Sequence, residues 1–324
     1  MNSNSGSQSD LLVLSSSPHV HRKTATRNVM LDVLIALAPA LVWSVVVFGW
    51  KALLLTAISV ASCVFFEWGF QKLTKRPVAI GDLSAAVTGV LLAFNVPVTA
   101  AWWTMPLGAF FAIVIVKQLF GGIGKNVVNP AIAARVFLFV SWPGEMTQYT
   151  EPFVDAVSQA TPLASLKTGV LPEYGMLDAF LGRIPGCIGE VSALMLLIGV
   201  AYLLIRRVIT WHIPVAYIGT VALLALIFPQ AGTAIEYLGY SVLSGGLLLG
   251  AFFMATDYTT SPVTYKGRLL FGFGCGLLTV MIRYFGAYNE GVSFAIMIMN
   301  LLVWYIDRLT LPVRFGGKKK GGAK

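Results

Sequence analysis

The sequence predicts an all-α, polytopic membrane protein with about ten transmembrane helices. Its 324 residues are 57% hydrophobic and only 11% charged, and the mean hydropathy is +0.78. Soluble domains usually contain about 25% charged residues. A helix that crosses a bilayer needs about 20 apolar residues, so ten such helices would use roughly 200 positions. The composition therefore excludes a soluble enzyme.

Hydropathy breaks at charged residues and at Gly/Pro clusters divide the chain into ten predicted spans. The spans are 31–50, 52–71, 83–100, 101–120, 127–142, 184–205, 211–228, 235–255, 269–285 and 291–306. They predict five regions along the chain. These are an N-terminal tail (1–29), a first membrane half (30–142), a long loop (143–183), a second membrane half (184–306) and a basic C-terminal tail (307–324).

The net charge of +9 is explained by membrane orientation, without a nucleic-acid partner. If the N-terminus lies in the cytoplasm, the predicted cytoplasmic segments, together with Lys117 near the cytoplasmic end of the fourth span, hold 18 of the 23 Lys and Arg residues. This asymmetry follows the positive-inside rule. It predicts a multi-pass protein with both termini cytoplasmic and with the 143–183 loop on the opposite, extracytoplasmic side.

Helix-breaking residues interrupt several of the predicted spans. Asn95 to Pro97, Asn129-Pro130 and Asp257 to Pro262 place irregular backbone at or near membrane depth. Such backbone persists in a membrane only where it is buried in protein or faces water. A faint similarity between 81–92 and 239–249 is compatible with two inverted five-helix repeats, an arrangement found in transporters.

The 143–183 loop contains the most informative candidate residue, Thr161. Pro162 favours an extended conformation for Thr161 and suits the first position of a helix. One interpretation is that Thr161 only caps this helix, with its hydroxyl accepting a backbone N–H. The alternative is that the hydroxyl is esterified by a phosphate, which a helix N-terminus favours.

Two charged residues lie within or beside predicted spans and are candidates for function. Arg135 lies inside the fifth span, where a charge is a functional candidate, although it could simply pair with carbonyls or a carboxylate. Asp257 follows a broken helix end, where it could either cap a helix or contact a cofactor. We expect Glu190 to cap the sixth span and Glu67 to extend towards Lys72. The three cysteines form no CxxC pair, so no metal motif is visible.

Several short motifs in the chain resemble those of a known protein family. Asp155, Ser158, Ala160 and Thr161 resemble the acceptor motif on which a flavin transferase attaches FMN to threonine. Further segments are similar to the D subunit of the bacterial Rnf electron-transport complex. These segments are 17–19, 82–93, 121–126, 129–131, 134–138 and 253–264, with a looser match at 186–190.

The resemblance implies a membrane flavoprotein of the bacterial inner membrane that carries FMN as a phosphoester on Thr161. It places Ser158 and Asp155 in the attachment motif and makes Arg135 and Asp257 candidates for cofactor contact. It also allows a second, noncovalent flavin, riboflavin, between the helices. The chain would act as an electron-transfer subunit of an ion-translocating ferredoxin:NAD oxidoreductase, without catalysing the reaction alone.

Other subunits would then supply what this chain lacks. It has no dinucleotide fingerprint and no cysteine cluster, so the resemblance assigns the ferredoxin and NAD sites to partners. These partners would include a second flavin-carrying subunit and iron–sulfur subunits. Two alternatives remain: a B-type subunit of a sodium-pumping NADH:quinone reductase, and a stand-alone channel or transporter without a redox role.

Overall fold

A computed structural model describes residues 26–153, 158–159, 161–190 and 192–312. The described residues are mostly helical, as the composition predicts. Four of the described helices are long and apolar enough to cross a membrane, and a bent pair of helices makes a fifth such candidate. Five further apolar helices have only 10 to 17 residues. The fold is therefore that of a polytopic membrane protein.

The first half contains two long helices followed by shorter ones. The predicted third span, 83–100, is helical only as far as Phe94, and the chain is irregular from 95 to 103. The break predicted at Asn95 is confirmed. The elements are α1 (Thr26–Phe48), α2 (Trp50–Leu73), a 3₁₀ turn (Ile80–Asp82), α3 (Ser84–Phe94), α4 (Thr104–Phe110, continued by the π-helix Phe111–Gln118) and α5 (Pro130–Ser141).

The long loop between the halves has short elements of its own. Its two strands pair antiparallel, with Tyr149 opposite Gln159 and Thr150 opposite Ser158. This pairing brings the chain that precedes Thr161 back beside the end of the first half. The elements are α6 (Pro143–Met146), β1 (Tyr149–Thr150), β2 (Ser158–Gln159), α7 (Pro162–Lys167) and α8 (Met176–Leu181).

The second half contains a sharply bent helix pair. The predicted span 235–255 is interrupted by 244–246, where the two helical pieces meet at 59°. Gly245 and Gly246 have φ of +75° and +66° at this break, a conformation that glycine adopts easily. The elements are α9 (Ala193–Ile205), α10 (His212–Ile227), α11 (Ala234–Leu243), α12 (Leu247–Leu249, continued by the π-helix Gly250–Met254), α13 (Tyr265–Phe285) and α14 (Val292–Thr310).

One predicted span is wrong at its start. The sequence predicts that the sixth span begins at 184, but α9 begins at Ala193, and the described residues before it form turns. The reason is a backbone pairing between the halves. The N–H of Ile188 donates to the Val96 carbonyl at 3.1 Å, and the N–H of Gly189 donates to the Phe94 carbonyl at 2.9 Å. This segment completes the broken end of α3 and therefore cannot be helical.

Four of the five helices α1 to α5 begin at a nearly constant separation from a helix of the second half. The separations are 162 residues from Trp50 to His212, 163 from Ser84 to Leu247, 161 from Thr104 to Tyr265 and 162 from Pro130 to Val292. Leu83 and Gly246, which precede α3 and α12, both have left-handed φ. The faint sequence similarity aligns 81 with 239 and is therefore displaced by several positions from this register.

Candidate flavin site

Thr161 caps the short helix α7, as its sequence context predicts. Its backbone is extended (φ −66°, ψ 154°), Pro162 is the first helical residue, and the Thr161 hydroxyl accepts the Ala164 N–H at 3.3 Å. The side chain is 7% exposed. The capping interpretation is confirmed by this geometry, which leaves attachment of a phosphate to the same oxygen untested.

Thr161 lines a cavity of about 520 Å³ that is open to solvent. One wall is aromatic: the ring centroids of Phe139 and Tyr288 lie 5.0 Å apart, and Tyr288 stacks on Phe294 at 5.2 Å. We call this space the Thr161 cavity. Its lining residues are Phe139, Thr147, Tyr149, Thr161, Ala164, Ala287, Tyr288, Asn289 and Glu290.

Tyr149 contributes a phenol to the Thr161 cavity. Its hydroxyl donates to Glu290 Oε1 at 3.4 Å. Burial, together with the nearby Glu290 carboxylate, raises the pKa of Tyr149 well above its ordinary value. The phenol therefore stays neutral at physiological pH, and its single O–H is the donor to Glu290 at the cavity wall.

Of the other residues of the predicted attachment motif, only Ser158 belongs to the part of the chain that the structure describes. Ser158 lies in β2, opposite Thr150, so its backbone is near the Thr161 cavity. Nothing is described of its side chain, and Asp155 lies outside the described residues. Their roles in the motif stay predictions.

Arg135 is buried, and both terminal nitrogens of its guanidinium have partners. It donates to Asn95 Oδ1 at 2.7 Å and forms an ion pair with Glu290. A longer contact of 3.9 Å reaches the Cys187 sulfur. Of the two interpretations left open for Arg135, pairing with a carboxylate is the one observed. Glu290 also lines the Thr161 cavity. Arg135 is not among the lining residues, but it contacts the cavity wall through its ion pair with Glu290.

A second cavity, with an empty volume of about 790 Å³ that includes its opening to solvent, lies at the other end of α5. Its walls are mostly apolar and come from α1, α3, α5, α9 and the π-helix that follows α12, a composition typical of cofactor pockets. We call it the Asn126 cavity, because Asn126 Oδ1 is buried without a hydrogen-bond partner among the described residues. Its polar lining residues are Ser84, Thr88, Lys117, Asn126, Asn129, Thr256, Asp257, Tyr258 and Thr259.

Asp257 stabilises a turn and also lines the Asn126 cavity. Its Oδ2 accepts the hydroxyls of Thr259 at 3.0 Å and Thr260 at 3.3 Å, so it holds the turn that follows the broken helix. Its place on the cavity wall keeps cofactor contact open as a prediction. The structure brings Asp257 to the same cavity as Asn126 and Lys117, and separates it from the Thr161 cavity.

A buried ion pair lies beside the Asn126 cavity, and the sequence did not predict it. Lys117 Nζ lies 2.7 Å from Glu67 Oε1, and both side chains are 2% exposed. The expectation that Glu67 extends towards Lys72 is wrong, because the carboxylate faces the protein interior and also accepts from Gln118 at 2.7 Å. Lys117 further donates to Ser84 at 2.6 Å.

Two glutamates near Arg135 also depart from what the sequence predicts. Glu190 does not cap α9, since Ser192 accepts the Met195 N–H there at 3.3 Å. Glu190 instead accepts the Cys187 N–H at 2.9 Å. Glu290 lies 155 positions from its ion-pair partner Arg135, and no sequence spacing relates them. A lone acidic residue directly before a predicted span was the only available signal.

The two cavities lie at opposite ends of α5. Ala131 lines the Asn126 cavity and Phe139 lines the Thr161 cavity. Eight residues of helix correspond to about 12 Å. Arg135 lies halfway between them, so one short helix connects the two cavities and places a buried cation between them.

Comparisons with known proteins agree with the motifs. The model of the NQR2, RnfD, RnfE family matches residues 13–316. The chain is 50% identical over 312 residues to the D subunit of the Na(+)-translocating ferredoxin:NAD(+) oxidoreductase complex of Acetobacterium woodii, covering 95% of this chain and 96% of that protein. It is 40% identical over 325 residues to the D subunit of the proton-translocating complex of Clostridium ljungdahlii, covering 96% and 98%. The resemblance inferred from the motifs is therefore confirmed.

Proposed function

This chain belongs to the NQR2, RnfD, RnfE family, and from that premise we propose that it relays electrons through covalently bound FMN within an ion-translocating ferredoxin:NAD oxidoreductase. The observation that carries the proposal is the position of Thr161. This buried threonine is a lining residue of a cavity that opens to solvent. A transferase that works outside the cytoplasm could place FMN there if the loop faces that side.

The residues of the Thr161 cavity suit a flavin. Phe139 and Tyr288 provide aromatic surface for a planar ring system. Tyr149 and Asn289 provide polar groups at the same wall. A bound flavin would supply one-electron and two-electron chemistry, while the protein sets its position and electrostatics. Glu290 keeps the positive charge of Arg135 adjacent to this wall without exposing it to solvent.

The Asn126 cavity is our candidate for the second flavin, noncovalent riboflavin. The unpartnered Asn126 Oδ1 and the nearby Ser84, Lys117 and Asp257 offer donors and acceptors around an apolar space. An apolar cavity with a few polar groups suits the flavin ring system, which is planar and has polar atoms along its edges. With one flavin in each cavity, electrons would pass along α5 from one side of the membrane to the other.

The proposed topology has ten membrane passages arranged as two five-helix repeats of inverted orientation. The constant separation of about 162 residues between corresponding helix starts supports it. The contacts of two basic turns also support this topology. Arg76 donates to the Gln118 carbonyl at 3.1 Å, and Arg268 donates to Thr210 at 3.2 Å, so each basic turn is tied to a neighbouring predicted cytoplasmic segment.

By the positive-inside rule this end faces the cytoplasm of a bacterial inner membrane, and the Thr161 cavity faces the opposite side. Ferredoxin and NAD would then bind other subunits. We propose a second flavin-carrying subunit and iron–sulfur subunits as the partners that deliver electrons to this chain and remove them.

The test of covalent attachment is the variant Thr161→Val. The wild-type chain, made in a host with a flavin transferase, is expected to give a fluorescent band on a denaturing gel under ultraviolet light. Valine has no oxygen to esterify, so the band should disappear, while loss of the cap costs only about 1 kcal/mol.

Thr168→Val is the matched control. Thr168 ends the same short helix and its hydroxyl donates to the Ser165 carbonyl, so this variant should keep the fluorescence. Mass spectrometry of the 143–183 peptide should find FMN on Thr161 in the wild type. FMN on Ser158 or Thr168, or a fluorescent Thr161→Val band, would refute the assignment.

A further inference from the structure

Behind the Thr161 cavity lies a buried cluster formed by Cys187, Glu190 and Glu290. The thiol sulfur and one carboxylate oxygen from each glutamate lie within 4.8 Å of one another. Glu190 is 6% exposed, and the Glu290 side chain is 9% exposed. Two carboxyl groups are thus held close together in the protein interior.

The two carboxyl groups have very different partners. Glu290 is neutralised by its ion pair with Arg135 and accepts the phenol of Tyr149. Glu190 Oε1 accepts the Cys187 N–H at 2.9 Å, and the Cys187 thiol is a second hydrogen-bond partner of the same carboxyl group. Its Oε2 is buried without a hydrogen-bond partner among the described residues. An ionised carboxylate offers about four acceptor positions, and Cys187 is the only hydrogen-bond partner of this carboxyl group among the described residues.

The remaining charged group near Glu190 is engaged elsewhere. Arg283, on α13, donates to the carbonyls of Ser241 at 2.7 Å and of Ser244 and Gly245 at 3.4 Å each. Its guanidinium therefore binds the carbonyls around the break between α11 and α12. Among the described residues, Glu190 has no ion-pair partner, and another carboxylate is its close neighbour.

We propose that Glu190 binds a proton and is held as a neutral carboxylic acid next to the Arg135–Glu290 ion pair. A buried, unpaired carboxylate is far more costly than a neutral carboxyl group with one unsatisfied atom. A sodium ion fits less well than a proton. It would need several oxygen ligands, and the guanidinium of Arg135 already occupies the Glu290 oxygen and would repel a second cation.

This proton is the counter-charge for an electron in the Thr161 cavity, a link that rests on the proposed function. Glu290 lines that cavity and lies within 4.8 Å of Glu190. An electron on a flavin there adds negative charge and strengthens the binding of the proton. When the electron passes to a partner protein, the proton is bound less tightly and can leave Glu190 for water.

The experiment is infrared spectroscopy of the full-length chain, prepared without the flavin transferase so that covalent attachment does not affect the result. At neutral pH the wild type should have a carbonyl stretch of a protonated carboxyl group that shifts in D₂O. Glu190→Gln should lose this band. Glu173→Gln, which changes an exposed loop carboxylate, should keep it.

Two further measurements separate loss of the proton site from loss of the fold. Glu190→Asp retains a carboxyl group, so its band should be displaced in frequency rather than lost, and circular dichroism should report an unchanged helical content for each variant. A band that Glu190→Gln leaves intact would overturn the proposal. So would a wild-type band that NaCl removes and an equal concentration of choline chloride does not, because sodium would then be the ligand.

The link to the flavin has a separate readout. In flavin-loaded protein, the band should be stronger when the flavin is reduced than when it is oxidised, and Glu190→Gln should abolish this difference. A band that is independent of the flavin's redox state would refute the coupling and leave the proton site itself intact. Gel fluorescence reports flavin attachment independently of both results.

Discussion

Replacing Arg135 by leucine removes the only cation paired with Glu290 among the described residues. Arg135 and Glu290 have side chains that are 8% and 9% exposed, and Arg135 also donates to Asn95 Oδ1 at 2.7 Å. Arg135→Leu therefore leaves a buried carboxylate without a counter-ion and an amide oxygen without its donor. The hydrogen bonds of Arg135 do not include Thr161, so covalent flavin should stay attached while electron transfer through the complex slows.

The size of the effect follows from the loss of a buried ion pair. Removing one partner of such a pair costs about 3 to 5 kcal/mol, because the other charge stays buried. At roughly 2 °C per kcal/mol for a large chain, the apparent melting temperature should fall by about 6 to 10 °C. Arg135→Leu combined with Glu290→Leu should recover most of this loss, since paired hydrophobic replacements are often neutral.

The assay is thermal unfolding of the purified chain in detergent, followed by intrinsic fluorescence, for both single variants and the double variant. Lys51→Leu is the control, because Lys51 is exposed at the start of α2, and it should change the melting temperature little. Single variants whose losses simply add in the double variant would refute the pairing argument. An unchanged midpoint potential and turnover in Arg135→Leu would assign the residue a purely structural role.

The Asn126 cavity and the membrane orientation give two further predictions. Asn126→Leu should reduce noncovalent flavin several-fold without affecting the fluorescent gel band, as measured by chromatography of the acid-released flavin; equal flavin in wild type and variant would exclude this cavity. A cysteine at the exposed Gln148 should react with an impermeant thiol reagent in intact cells, whereas one at the exposed Lys125 should react only after lysis. The reverse pattern would invert the proposed topology; the native cysteines are buried and give little background.

Features encoded locally were predictable from the sequence. Asn129-Pro130 is typical of the start of a helix, and Asn129 accepts the Ala131 N–H at 3.0 Å there. Thr161-Pro162 is a similar pattern, and Thr161 caps α7. In both cases the cap and the proline act within a few residues of one another, so no knowledge of the rest of the fold is needed.

Features that depend on distant contacts were not predictable. The segment before α9 is apolar enough to suggest a helix, yet Ile188 and Gly189 donate to carbonyls more than 90 positions earlier. The sequence predicts that Glu67, near the end of its span, extends towards Lys72. Glu67 instead pairs with Lys117 across α2 and the π-helix that continues α4, and a single sequence contains no signal for that contact.

The pairing of Ile188 and Gly189 with the end of α3 also constrains how the protein is made. While the first half is being synthesised and inserted, the Phe94 and Val96 carbonyls lack the N–H groups that pair with them in the finished fold. Lipid offers no hydrogen-bond donors in their place. We therefore expect the broken end of α3 to reach its final packing only after the chain around Ile188 and Gly189 has been synthesised. Folding of the first half would then depend on synthesis of the second.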